Sequence, residues 1–316
     1  MQNDLINQLA LLQVIMPIGV MVLNAVIPVA GKHGVLLRTA SILGLLFYTA
    51  LAGVWLFPPW WTPIILSCAQ IVIAGWQIRR VSKKKPALSV WLFGEVAAAL
   101  IASIGVGLVI LPTIKGRTPP EVAIDLDMPL GPGRYLVISG GAAPQINAHF
   151  FTLNRPSASE FRGQSYALDI IGINAAGLRA SGISPTDPSL YAIYGADVLA
   201  PCAGTVLVAV DGVPDNPVPV MNRASMAGNS VVLACDGLAV VLAHFSPDSL
   251  TVAEGDDVEV GQRIAKVGNS GNSGEPHLHI HAQTIASDDA PLSGEPLWLT
   301  VEGDFLVRNS RFVVRP

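Results

Sequence analysis

The stretch Gly268-Asn-Ser-Gly271-Asn-Ser-Gly274-Glu-Pro276-His277-Leu278-His279-Ile280-His281 decides how the second half of this chain is read. Gly, Asn, Ser and Pro in succession mark a turn, because they favour conformations that neither a helix nor a central strand continues. The five residues that follow alternate imidazole and aliphatic side chains. A strand sends successive side chains to opposite faces, so Leu278 and Ile280 face a core while His277, His279 and His281 project together. A single strand histidine is commonly structural. Three in alternation after such a turn have no packing role to fill, and they predict metal binding or catalysis.

Working outward, the runs 206–210, 230–234, 238–243 and 263–267 read as short strands bounded by turn residues. No helical period of comparable length appears between them, and 172–197 is the longest loop. The expectation is a mainly β, antiparallel domain over 118–316. Upstream, Tyr166-Ala-Leu-Asp169-Ile170 places an acid in an apolar strand, which is costly without a partner or a metal. Asn147-Ala-His149-Phe150 adds another imidazole. A hydrolytic zinc site takes three protein ligands and keeps one position for water. His149, Asp169 and a histidine of the 277–281 strand satisfy that count, although Asp169 alone reads as an ion-pair residue and His149 alone as a surface one.

The first 117 residues are different. The chain is 51% hydrophobic and 13% charged, against roughly 25% charged in a soluble domain. Residues 1–117 hold nine Lys/Arg and two acids, while 118–316 hold ten and twenty-one. This asymmetry excludes a disordered or collagen-like chain, and the acidic second half argues against nucleic acid as a partner. Four apolar stretches, about 9–30, 35–57, 60–78 and 88–111, each approach the ~20 residues that cross a bilayer, giving an α-helical membrane region of four transmembrane helices. Met1-Gln-Asn-Asp4 lacks the basic start of a cleaved signal. Arg79, Arg80, Lys83, Lys84 and Lys85 join the third and fourth stretches, and Lys32 and Arg38 flank the first loop. Basic residues stay on the cytoplasmic side, so both termini and the whole of 118–316 lie outside the cytoplasm. Trp55, Trp60, Trp61 and Trp91 near the span ends read as interfacial aromatics. Glu95 within the fourth stretch reads as a packing residue or as part of an ion path. Four spans exceed what tethering needs, which predicts a membrane-protein partner. Cys68 reads as a small apolar residue of the third span. Cys202 and Cys235, on the oxidising side, read as a disulfide, the alternative being two buried thiols.

Residues 244–281, from His244-Phe-Ser-Pro through Gly255-Asp-Asp-Val-Glu-Val-Gly-Gln262 to His277-Leu-His279-Ile-His281, resemble the C-terminal motif of the lysostaphin-type (LytM-like) zinc metalloendopeptidases. Ala200-Pro-Cys-Ala-Gly204-Thr-Val206 and Gly228-Asn-Ser-Val-Val232 resemble strands of the same family, and coverage is about 135–285. The resemblance implies a lysostaphin-like β-barrel or sandwich with a duplicated hybrid motif, and one Zn2+ per domain. It also implies peptide cross-links of bacterial cell-wall peptidoglycan as substrate. Multi-pass residence in the bacterial inner membrane, with the catalytic domain on the periplasmic side, accords with that substrate. Carried over position by position, it makes Asp169 and His279 ligands and His244 and His277 the unligated catalytic pair. The family's first ligand, a His four residues before the Asp, is Ser165 here. Relatives with a Tyr-Ala-x-Asp strand take that His from an Asn-x-His segment, which His149 matches. His281 stands where many relatives carry an acid and receives no ligand role. His277 is read as the base and His244 as the group that stabilises the transition state, with exchange of roles left open. Two other readings compete: a catalytically silent module that binds wall or activates a partner hydrolase, and a lipoyl-like hairpin at 255–261, which lacks the lysine such a turn would carry.

Overall fold

The computed structural model describes residues 2–29, 31–81, 90–120, 122–287 and 289–316. The chain forms two compact units, Met1–Ile114 and Lys115–Pro316.

The first unit contains helices α1 (Gln2–Val26), α2 (Gly31–Ala52), α3 (Thr62–Arg80) and α4 (Val90–Lys115), one in each of the four apolar stretches. Met21, Ile42 and Leu46 make a small core with Leu66, Ala69 and Ile73. Polar side chains close backbone groups left open between and beyond the helices. Gln13 accepts from Val54 N–H and donates to its carbonyl, at 2.9 and 2.7 Å, and Gln77 donates to Asn24 O at 2.6 Å. Arg38 donates to the carbonyls of Ile27 and Pro28 just beyond α1.

The expectation of four membrane spans is corrected. Among the described residues, two helices are long and apolar enough to cross a bilayer: Gly31–Ala52, and Val96–Lys115 within α4. In α1 the described apolar part is Leu12–Val26. In α3, Gln70, Gln77, Arg79 and Arg80 lower the mean hydropathy. Trp55 is buried and donates to Thr49 O at 3.0 Å, so it is a packing residue and not one of an aromatic belt. Lys83, Lys84 and Lys85, and the side chains of Trp91 and Glu95, lie outside the described residues. Cys68 is an exposed thiol of α3.

The second unit is built from short strands, as turn residues every few positions require. They are β1 (Ile124–Leu126), β2 (Gly133–Ser139), β3 (Leu168–Gly172), β4 (Asp197–Leu199), β5 (Gly204–Val210), β6 (Asn229–Cys235), β7 (Leu238–Phe245) and β8 (Asp257–Val258). After them come β9 (Arg263–Lys266), β10 (Leu278–Thr284), β11 (Pro296–Leu297), β12 (Leu299–Val301) and β13 (Arg311–Val314). Nine of them form one sheet in the order β13-β2-β3-β10-β7-β6-β5-β8, with β11 against β10. Every pairing in it is antiparallel. β4 and β9 form a separate antiparallel pair, and β1 and β12 a parallel one.

Period two divides the sheet. Leu278, Ile280 and Ala282 of β10 enter a core with Leu168, Ile170, Val231, Leu233, Val240 and Leu242. The intervening residues of the same strands, Asp169, His279, His281 and Gln283, lie on the other face. Cys202, just before β5, and Cys235, at the end of β6, are joined as a disulfide.

Candidate metal centre

Asp169 and His279 are register partners across β3 and β10, and antiparallel partners are close neighbours on one face. His279 Nδ1 lies 3.0 Å from Asp169 Oδ1. The other carboxylate oxygen, Oδ2, lies 2.8 Å from His149 Nε2. His277 Nε2 stands 3.7 Å from Oδ1, and the His244 ring packs against His277 and His279 with centroids 4.8 and 5.8 Å apart. Four imidazoles therefore surround one carboxylate.

Different local devices deliver each side chain. The β2–β3 register shifts between Val137 and Ser139, which sets Ser139 opposite Asp169. Ser139 Oγ then accepts from Ala148 N–H at 2.9 Å. The Asn147 side chain accepts from His149 N–H and donates to the carbonyls of Gly141 and Ala167. Asn147 thus caps the 3-10 turn Ala148–Thr152 and ties it to Ala167, the residue just before β3. Thr152 donates to His149 O and bonds Ser165 Oγ at 2.8 Å, so Ser165 is a buried brace behind His149.

His244 sits where the β6–β7 register shifts, with φ 69°, a conformation uncommon for a residue with a side chain. Such a bulge re-aims a side chain, here toward Asp169. Its Nδ1 faces Ser270 O at 2.9 Å, so a neutral His244 carries its proton on Nδ1 and leaves Nε2 bare. His277 Nδ1 likewise donates to Glu275 O at 2.9 Å. The turn holding Ser270 can approach because Gly271, at φ 76°, has no Cβ to meet the Gly228 backbone.

Burial pushes the His244 pKa well below its ordinary value, with the nearby His277 and His279 adding to the effect. Burial lowers His279 and His281 as well. For Asp169, burial alone raises the pKa. His149 beside it, which also hydrogen-bonds it, outweighs that and holds the carboxyl well below the usual range. Asp169 is therefore held as a carboxylate and His279 as a neutral imidazole, the protonation that metal ligands require. His149, Asp169 and His279 each offer one ligand atom, and these lie within 4.8 Å of one another. Two imidazoles and a carboxylate are a donor set that suits zinc. His244, His277 and His279 form a second such group that shares His279.

These shifts fix a pH dependence. All of the depressed groups bind fewer protons folded than unfolded, so their contribution is present at high pH and lost on acidification. The metal-free chain is expected to lose stability as pH falls through about 6.5, where unfolded histidine begins to protonate, and to lose more below about 4, where an unfolded carboxyl does. Urea midpoints at pH 7.5, 6 and 5 check this. A flat or rising series would contradict it.

Every site residue expected from the sequence lies in this cluster: His149, Asp169, His244, His277 and His279. Three supports were not foreseen. Asn147, the cap of its own turn, and Ser139, from β2, position His149. Arg179 of the loop after β3 forms a buried pair with Glu275 at 2.8 Å and stacks over Tyr191 at 5.6 Å, bracing the turn that carries His277. His281, given no role from sequence, lies 2.9 Å from His279 through Nδ1.

Residues 189–291 match the model of peptidase family M23, which bears out the family resemblance read from 244–281. That match contains His244, His277 and His279 but stops short of His149 and Asp169. No curated protein matches the chain. Among solved structures the chain is similar to the antimicrobial peptidase lysostaphin from Staphylococcus simulans, with 22% identity over 31% of this chain and 40% of that one, and a TM-score of 0.23. A putative M23 peptidase from Pseudomonas aeruginosa gives 20% identity over 57% and 54%, with a TM-score of 0.27. A zinc-containing peptidase from Vibrio cholerae gives 21% over 37% and 46%, with a TM-score of 0.23. The chain thus spans about half or less of each of these proteins.

Proposed function

We propose that Lys115–Pro316 is an extracytoplasmic, zinc-dependent endopeptidase that cleaves peptide cross-links of bacterial cell-wall peptidoglycan. The observation that carries this reading is the Asp169 carboxylate held between His149 Nε2 and His279 Nδ1, at 2.8 and 3.0 Å, with two further imidazoles beside it. His149, Asp169 and His279 would hold the ion. When bound there, zinc supplies a Lewis acid and a coordination position for water.

The chain's own groups then divide the proton work. His277 and His244 each carry a proton on Nδ1 through their carbonyl partners and present a bare Nε2. A base must keep the proton it takes. His277 is partly exposed, with 12% of its side-chain surface accessible, so it is the better acceptor from the attacking water. His244, neutral and bare at Nε2, has no proton to give the developing oxyanion, and it serves as a second acceptor that orients the attacking water beside His277. The Arg179–Glu275 pair holds the Glu275 carbonyl against His277 and keeps that ring in one orientation.

The substrate class comes from the family resemblance, and topology accords with it. Basic residues precede α4 and the second unit follows it, so one crossing by α4 puts the unit on the non-cytoplasmic side. Membrane attachment through α2 and α4 keeps it near the wall.

The purified full chain in detergent, incubated with cross-linked muropeptides, is expected to release new free amino groups. Chelation should abolish this release and added zinc restore it. Activity that survives chelation overturns the metal mechanism. Binding of muropeptides without turnover would mean a silent wall-binding module instead.

A further inference from the structure

His281 and Gln283 are buried polar side chains that the proposed chemistry leaves unused, at 1% and 0% exposure. Both follow His279 at strand spacing, so His279, His281 and Gln283 project from one face of β10 in a row. Their contacts form an unbroken line. His279 Nε2 is 2.9 Å from His281 Nδ1, His281 Nε2 is 3.3 Å from Gln283 Oε1, and Gln283 Nε2 donates to Pro291 O at 2.6 Å.

The direction of every bond in this line is determined from its far end. A backbone carbonyl only accepts, so the Gln283 amide must turn its NH2 to Pro291 and its oxygen to His281. That oxygen also only accepts, so the proton of His281 is on Nε2 and its Nδ1 is bare. A bare Nδ1 can only accept from His279, whose proton is therefore on Nε2. His279 Nδ1 is left without a proton, 3.0 Å from Asp169 Oδ1. Two acceptors thus face each other across a gap suited to a cation.

We infer that Gln283, anchored on the Pro291 carbonyl and acting through His281, is a positioning relay that holds His279 in the tautomer presenting Nδ1 to the metal. The inference rests on His279 being a ligand, as proposed above. Outer partners of ligating imidazoles fix their tautomer and orientation, and their loss typically weakens metal binding about 10–100-fold. Gly163 gives this arrangement its room, since a Cβ there would collide with Gln283 Oε1.

The test uses zinc-loaded full chain with 15N-labelled histidine, and nitrogen correlation spectra that distinguish Nδ1 from Nε2. Protons on Nε2 of both His279 and His281, with His279 Nδ1 metal-bound, are expected. A proton on His279 Nδ1 overturns the relay, and this reading needs no variant. Zinc affinity by competition with a chromophoric chelator gives the second readout. Gln283→Met removes the acceptor and should weaken binding about 10–100-fold. Gln283→Glu keeps an acceptor toward His281 and should restore most of the affinity. Equal affinity in all three proteins contradicts the inference. Neither readout measures hydrolysis, so a chain that binds zinc through this relay yet cleaves nothing would refute the peptidase reading alone. Zinc-dependent cleavage with an indifferent Gln283 would refute the relay alone.

Discussion

His277→Ala is expected to lower muropeptide cleavage by about 10²–10⁴-fold, the usual contribution of a positioned acid–base group, while the bound zinc content stays at the wild-type level. The division follows from geometry. His277 lies just before β10, and its Nε2 stands 3.7 Å from Asp169 Oδ1, whereas His149 and His279 lie at 2.8 and 3.0 Å. Its Nδ1 is committed to the Glu275 carbonyl, which leaves one lone pair for a proton in transit. Initial rates and metal analysis on the same preparation check both halves. Loss of zinc together with activity would make His277 a ligand, and an unaltered rate would remove it from the chemistry.

The second large effect concerns stability. Arg179→Met is expected to destabilise the second unit by about 3–5 kcal/mol, because removing one partner strands the other charge in a buried site. Only 4% of the Arg179 side chain and 12% of the Glu275 side chain are accessible. The double variant Arg179→Met/Glu275→Met should recover much of the loss, since an apolar pair of similar volume leaves no charge behind. Native-state hydrogen exchange of the β10 amides measures this within the full chain. A single-variant cost below about 1 kcal/mol, the range of exposed pairs, would contradict the assignment. In the double variant the Glu275 carbonyl survives but its brace does not, so catalysis should stay impaired where stability returns.

What the sequence made readable is what a local period encodes. Alternation from His277 to His281 gave a strand with its polar and apolar faces assigned, and β10 lies at the middle of the sheet with Leu278 and Ile280 in the core. The four helices of the first unit follow apolar stretches in the same way. Among the described residues α3 is not apolar enough for the span expected there, because Gln70 and Gln77 interrupt it with amides that serve contacts between helices. Features that depend on distant segments were not readable. The bulge that turns His244 toward Asp169 is a register shift between two strands. Asn147 was part of the quoted motif, yet its capping role needs Gly141 and Ala167 to close around it. The pairing of Arg179 with Glu275 spans 96 residues. Gln283 alone extended a visible pattern, since it continues the His279 and His281 spacing, and it went unread because glutamine is not a ligand.

The central claim is that His149, Asp169 and His279 share one divalent ion. The competing trio His244, His277 and His279 uses the same shared residue, so variants at the four unshared positions separate the two. Zinc affinity of the full chain, measured by chelator competition on single alanine variants, is the direct test. Loss of stoichiometric zinc in His149→Ala and Asp169→Ala, with near-wild-type binding in His244→Ala and His277→Ala, is the predicted result. Retention of zinc in the first pair with loss in the second would contradict it.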